Sequence, residues 1–246
     1  MATAISWTNE TWNPVTGCSR VSDGCRNCYA ERLSLKFGWS KKPWTARNAA
    51  ENVVCHPERL GKPLTFRKPS RVFVNSMSDL FHELVPDDFI AEVFQVMIDT
   101  PQHTYQILTK RPERAAEWRG PWADNIWMGT SVEDSRVVGR VDYLRTCGAS
   151  VRFLSCEPLI GPLPVLDLTC IHWVIVGGES GPGFRPMPHE WAREIRDHCI
   201  RQGVAFFFKQ SAHYRTEMGT ALEEADGSRH TWHQFPGQLD PPIAVA

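Results

Sequence analysis

The chain has 246 residues, 42% of them hydrophobic, with eighteen prolines and a net charge of −1 from 27 basic and 28 acidic side chains. That length suits one large α/β domain, and the composition excludes a disordered or collagen-like chain. No apolar run approaches the roughly 18 residues a membrane span needs. Met1–Glu10 carries neither the basic nor the apolar part of a signal peptide, so a cytoplasmic protein without membrane contact is expected. Eight cysteines are scattered, Cys156 and Cys170 in expected strands and Cys147 and Cys199 in expected helices, which fits buried thiols in a reducing compartment.

In chain order, a short strand near residues 12–16 leads into Gly17-Cys18-Ser19-Arg20-Val21-Ser22-Asp23-Gly24-Cys25-Arg26-Asn27-Cys28, and a helix follows from about 27 to 37, ending at Gly38. Next comes a basic excursion, about 38–71, rich in proline and with little regular structure. Counted over 32–71, ten Lys or Arg stand against Glu51 and Glu58, a local net of +8, which leaves −9 for the rest. Such asymmetry hints at an anionic partner. Basic side chains alternate there with Phe37, Trp39, Trp44 and Phe66, the combination that neutralises phosphates and stacks on exposed bases. A solvated loop, or a patch docked on the protein's own acidic remainder, would have the same composition.

From Arg71 onward short apolar runs alternate with helical patterns. Strands are expected at Val72–Val74, Tyr105–Leu108, Ile126–Met128, Val151–Leu154, Trp173–Val176 and Val204–Phe208. Helices are expected at Pro86–Thr100, 112–119, 134–146 and 188–201, the first with Phe89, Ile90, Val93, Phe94 and Met97 at helical spacing. This alternation predicts a parallel sheet and a single complete or partial (β/α) TIM-like barrel; an open doubly wound sheet has the same periodicity. Nearly every strand ends in polar residues, which would ring one mouth. They include Asn75, Ser78, Lys110, Glu133, Glu157, Glu179 and Lys209. Each alone could be a helix cap or a solvated loop residue. His82 is a further acid–base candidate beside them.

The cysteine loop carries the most specific chemistry. Cys18, Cys25 and Cys28 fall within eleven residues, and the two-residue gap between the last pair lets both sulfurs face one centre. Three ligands leave one iron of a 4Fe–4S cluster open, whereas structural zinc closes with four. A zinc knuckle completed by Cys55 or His56 is the alternative, and three ordinary thiols or one disulfide the plainest reading.

A three-cysteine loop after the first strand resembles the radical S-adenosylmethionine enzymes, although six residues lie between Cys18 and Cys25 where that pattern has three. Gly177-Gly178-Glu179 resembles the segment with which those enzymes hold the methionine amino group, here after the sixth strand and not the second. The phrases Thr11–Pro14, Asn75–His82, Leu108–Pro112, Ser155–Leu159, Trp173–Gly181 and Phe206–Gln210, with the cysteine loop, are similar to a phage-type family of unknown function with a three-cysteine motif. The resemblance runs over about 5–236 and implies an iron–sulfur barrel, in a host cytoplasm if phage-encoded.

The expected function is an iron–sulfur enzyme with Cys18, Cys25 and Cys28 as ligands. It would use S-adenosylmethionine, an electron donor and a nucleic acid or nucleotide-type substrate. Asn75, Ser78, Gly177, Gly178 and Glu179 are the candidate cofactor contacts. Glu133, Glu157, Lys110 and Lys209 are the candidates for catalysis. Two rivals are a nucleic-acid-binding protein whose cluster or zinc is structural, and a non-radical iron–sulfur lyase or repair enzyme.

Overall fold

The computed structural model describes residues 3–239 and the backbone of 243–245. Seven strands form one sheet: β1 (Glu10–Trp12), β2 (Arg71–Val74), β3 (Thr104–Thr109), β4 (Ile126–Ser131), β5 (Val151–Cys156), β6 (Trp173–Gly177) and β7 (Ala205–Gln210). They lie in sequential order and every neighbouring pair is parallel. Parallel strands need crossover connections, and the helical patterns supply them. The helices are α1 (Tyr29–Lys36), α2 (Asp87–Asp99), α3 (Pro112–Glu117), α4 (Arg140–Thr146) and α5 (His189–Gln202).

Alternation along the strands separates two apolar layers. Val72, Val74, Ile107, Met128, Leu154, Val174 and Phe206 pack with Phe94 and Met97 of α2, Leu144 of α4 and Ile195 of α5. Phe73, Phe153, Trp173, Ile175 and Phe207 point to the other, concave face, where Trp7 packs among them. The result is a half-barrel and not a closed one: among the described residues β1 and β7 are the two ends of the sheet and do not pair with each other.

Side chains bridge the opening. Trp7 meets Phe73 of β2 at 4.7 Å and Trp173 of β6 at 6.2 Å. Phe235 meets Trp173 and Phe207 while the Arg71 guanidinium lies 4.0 Å over its ring. The free edge of β7 is covered by residues 232–234, with Phe208 N donating to Trp232 O at 2.8 Å and Gln234 N to Phe206 O at 3.1 Å. Large aromatics thus occupy the space that further strands would close.

The basic excursion has only short structure: a helical turn at Ala49–Asn52, 3-10 turns, and Val54–Cys55 paired antiparallel with Val15–Thr16. It nonetheless packs on the body. Trp12 Nε1 donates to Arg59 O at 2.8 Å, and Trp44 is buried with Nε1 bonded to Ser40 Oγ at 2.9 Å. Trp44 is therefore unavailable for stacking on a base. Cys170 is not in a strand either; it is exposed in a turn at φ 61°. Among the described residues no helix is long and apolar enough to cross a membrane.

Candidate functional site

Because all seven strands are parallel, their C-terminal ends share one rim, the side on which α/β sheets bind ligands. The cysteine loop, residues 17–28, lies across that rim and is tied to the ends of β2, β3, β4 and β6. It begins at Gly17, whose N donates to Met77 O at 3.0 Å. Gly17 has φ +79°, and a Cβ there would lie 1.8 Å from Asn52 O, so no other residue fits without displacing backbone. Asn75 and Ser78 sit beneath this start. Asn75, at φ 62°, accepts from Val15 N at 3.3 Å, and Ser78 Oγ donates to Val15 O at 2.7 Å. The Asn75 Nδ2 group is buried without a partner among the described residues.

Arg111, just past β3, holds the next stretch. Its guanidinium donates to Cys18 Sγ at 3.6 Å, Ser19 Oγ at 2.8 Å, Asp79 at 3.2 Å and Glu83 at 3.0 Å. His82 is fully buried, and its Nδ1 accepts from Leu84 N at 3.1 Å. The proton therefore sits on Nε2, which donates to Ser19 Oγ at 2.8 Å. Burial, with Arg111 nearby, pushes the His82 pKa down. In this tautomer His82 positions Ser19 and is not a base toward it.

Glu133, after β4, anchors the middle of the loop. Buried to 1% exposure, it accepts from Ser22 Oγ at 2.9 Å and from Arg140 at 2.8 Å, with the Lys110 ammonium 3.4 Å away. Gly24 presses on it so closely that a Cβ would lie 2.4 Å from Glu133 Cγ. Lys110 also donates to Ser131 Oγ at 2.9 Å. Burial alone would lower its pKa, but Glu133 and the Cys25 and Cys28 sulfurs outweigh burial and hold it up.

Glu179, after β6, anchors the end. It accepts from Asn27 Nδ2 at 2.9 Å and Arg185 N at 2.8 Å, and pairs with the Arg185 guanidinium. Burial opposes its ionisation, yet the bonds from Arg185 and Asn27 prevail and keep its pKa low. Arg185 reaches on to Asp23 O at 3.0 Å. Gly177 O accepts from Leu159 N, and Gly178 exchanges bonds with Gln210 through both its N and its O. Gly177 and Gly178 thus join strand ends.

Of the predicted residues, Glu133, Glu179, Ser78 and Asn75 hold the loop or its base, while Lys209 and Glu157 face each other at 2.9 Å, each largely buried. Two residues before Glu157 is Ser155, paired in register with Ser131 and carrying a buried hydroxyl with no partner among the described residues. His56 is occupied by Thr16 at 2.8 Å and Glu58 at 2.9 Å. The sequence places Arg111 among the residues that follow strands without assigning it a role, and it gives none to Arg185, Asn27 or Ser155. The alternation of β5 would have found Ser155 as an inward residue at the mouth; Arg185, in a Pro- and Gly-rich loop, had no such signal.

Cys18, Cys25 and Cys28 are all free, partly buried thiols. Burial, and secondarily Asp79, push the Cys18 pKa up to about 12 against the pull of Arg111; burial also raises that of Cys28. Among the described residues no group of three or more His, Cys, Asp or Glu side chains is placed to hold a metal ion.

A family model described as "Protein of unknown function (DUF5131)" matches residues 2–236. The chain belongs to that family. The DUF5131 match takes in all seven strands of the half-barrel and the whole cysteine loop. Searches of curated proteins and of solved structures each give no match.

Proposed function

We propose that this DUF5131 protein is an enzyme that holds a 4Fe–4S cluster on Cys18, Cys25 and Cys28 and acts on a nucleic acid or nucleotide-type substrate at the mouth of the half-barrel. The observation that carries this reading is the pinned loop: its backbone and polar side chains are bonded to four strand ends, while its three thiols stay free of disulfides. The donor set fits in kind. Three soft ligands lie beside Arg111, which already donates to one sulfur, and Lys110, whose charge couples to the other two. Among the described residues no such group is placed to hold a metal ion, so ligation would require the loop's thiols to rearrange.

Such a cluster, when bound, offers an open iron that can take S-adenosylmethionine and pass it an electron. The protein's own groups would do the rest. Arg111 and Lys110 would offset the charge of the sulfurs. Asn75 Nδ2, a buried donor with no partner among the described residues, would bond a cofactor carboxylate or carbonyl. Glu157, Lys209 and the Ser155 hydroxyl would contact substrate, since Glu157 and Lys209 pair with each other and not with the loop. Trp7, Phe153, Trp173 and Phe207 close the concave face with apolar rings and exclude water there.

Anaerobic reconstitution with iron and sulfide tests the proposal. Iron and sulfide content should fall sharply in Cys18→Ala, Cys25→Ala and Cys28→Ala but not in Cys147→Ala or Cys199→Ala. Equal retention in all five variants would overturn it. A colourless protein that takes only zinc would favour a structural metal in a nucleic-acid-binding protein. With cluster loaded and reductant present, 5′-deoxyadenosine formed from S-adenosylmethionine separates the radical from the non-radical enzyme.

A further inference from the structure

Outside the mouth, one group of exposed aromatic and cationic side chains adjoins the β6 end and α1. Residues 211–218 turn back beside the β6 end, where His213 N donates to Glu179 O at 3.0 Å and Gly181 N to His213 O at 3.1 Å. That pairing places the exposed Phe184 ring parallel to the His213 imidazole, 6.4 Å apart with 21° between planes. Tyr214, 61% exposed, and Arg215 continue the same turn.

The Arg32 side chain of α1 joins this rim to the helix. It donates to Ser180 O at 3.5 Å and lies directly over Gly181. Lys36 follows at i+4, on the same helix face, and its ammonium stands 5.5 Å over the Phe37 ring. Phe37 packs at 5.2 Å on Trp39, which is 66% exposed. Over its eight residues α1 spans about 12 Å, so these groups form one path from the rim outward. No carboxylate interrupts it on α1, because Glu31 is buried under Arg20 and the Trp44 N–H.

We propose that this path is a binding site for single-stranded nucleic acid, running from Trp39 across α1 to Phe184 and His213, where a nucleotide reaches the cysteine loop. Exposed rings that stack on bases and cations that meet phosphates are the pairing a single strand requires. A duplex hides its base faces and gains only the charge contacts. The path lies against the loop itself, since Glu179 bonds both Asn27 and the 213 turn. The proposal rests on the nucleic-acid reading of the substrate, but it does not need the cluster.

Fluorescence anisotropy on the full-length, metal-free protein tests it, with labelled single strands of about 16 nucleotides, the matching duplex and a salt series. The single strand should bind more tightly, and log K should fall linearly with log salt. Phe184→Ala and Trp39→Ala should each weaken binding roughly 5- to 150-fold and leave the salt slope alone. Arg32→Ala should reduce the slope by about 0.7. These side chains are exposed, and circular dichroism and thermal melting confirm the fold of each variant. If Trp39→Ala weakens binding and Phe184→Ala does not, the strand stops short of the mouth and the path is overturned, although nucleic acid remains the partner. No binding of single strands at low salt overturns both. The cluster stands or falls separately, on the iron assays.

Discussion

One nitrogen of Arg111, Nη1, bonds both the Cys18 sulfur at 3.6 Å and the Asp79 carboxylate at 3.2 Å. Asp79 is itself buried and also accepts from Thr109 Oγ1 at 2.6 Å and Lys110 N at 3.1 Å. The end of β3 thereby fixes both the guanidinium and the cysteine it serves.

Arg111→Ala leaves Asp79 buried without its counter-charge. Breaking such a pair costs about 3–5 kcal/mol, and the surviving bonds to Asp79 place the expected loss near the low end. Arg111→Lys should recover part of it, keeping the charge but not the fork that reaches Ser19 and Glu83 together. Urea unfolding checks both variants. An unchanged midpoint in Arg111→Ala would show that the loop is held by its other bonds.

The two glutamates at the mouth should separate. Glu133→Ala strands Arg140 and Lys110, and a cost of about 3–5 kcal/mol is expected, with faster alkylation of Cys25 and Cys28 as the loop loosens. Glu157→Gln keeps the side chain's shape and an acceptor for Lys209 and should cost no more than about 1.5–3 kcal/mol while impairing turnover. Calorimetry and thiol labelling distinguish the two. Comparable destabilisation would mean that Glu157 also supports the fold.

Alkaline pH should unfold the metal-free protein through its core thiols. Burial pushes Cys156 and Cys199 up, well clear of the usual thiol range near 8.5. Above that range the unfolded chain loses these protons while the folded chain keeps them, so stability is full below it and falls as pH rises. The slope is about 1.4 kcal/mol per pH unit for each thiol. Cys199→Ala should flatten the decline by one proton's worth between about pH 9 and 11. An unaltered slope would remove Cys199 from the account.

Much of this architecture was legible in the chain because two patterns carry it. The short apolar runs Val151–Leu154 and Trp173–Val176, set between helical patterns, marked buried parallel strands, and Phe89, Ile90, Val93, Phe94 and Met97 at helical spacing marked α2. Whether the sheet closes was not legible. That depends on Trp7 and Phe235, which lie outside the sheet strands in segments with no period, and on which edges fail to pair. At the site, residue types at strand ends were readable, but their partners were not. Glu179 was readable as a carboxylate at a strand end, but its partners Arg185 and Asn27 come from irregular loops that carry no signal of the pairing. Trp44 looked like a stacking residue, and only tertiary packing buries it.

Residues 232–235 cover the open side of the sheet, so ending the chain at Thr231 should expose the edge of Ala205–Gln210. That strand reads Ala-Phe-Phe-Phe-Lys-Gln, the kind of apolar edge that recruits other strands. Light scattering of the shortened chain should show aggregation at concentrations where the full chain is monodisperse. A soluble, folded product would show that the edge is protected by other means.

The bonds that pin the cysteine loop join residues far apart in the chain: Ser22 to Glu133 across 111 positions, Asn27 to Glu179 across 152, and Asp23 to Arg185 across 162. During synthesis at about 5–20 residues per second, the three thiols therefore leave the ribosome about 8–30 s before their last anchor exists. Contacts of such separation also form late in folding. For that interval the thiols are open to oxidation and to whatever metal is at hand. Completion of β6 and its loop sets the moment at which the loop can first discriminate among ligands.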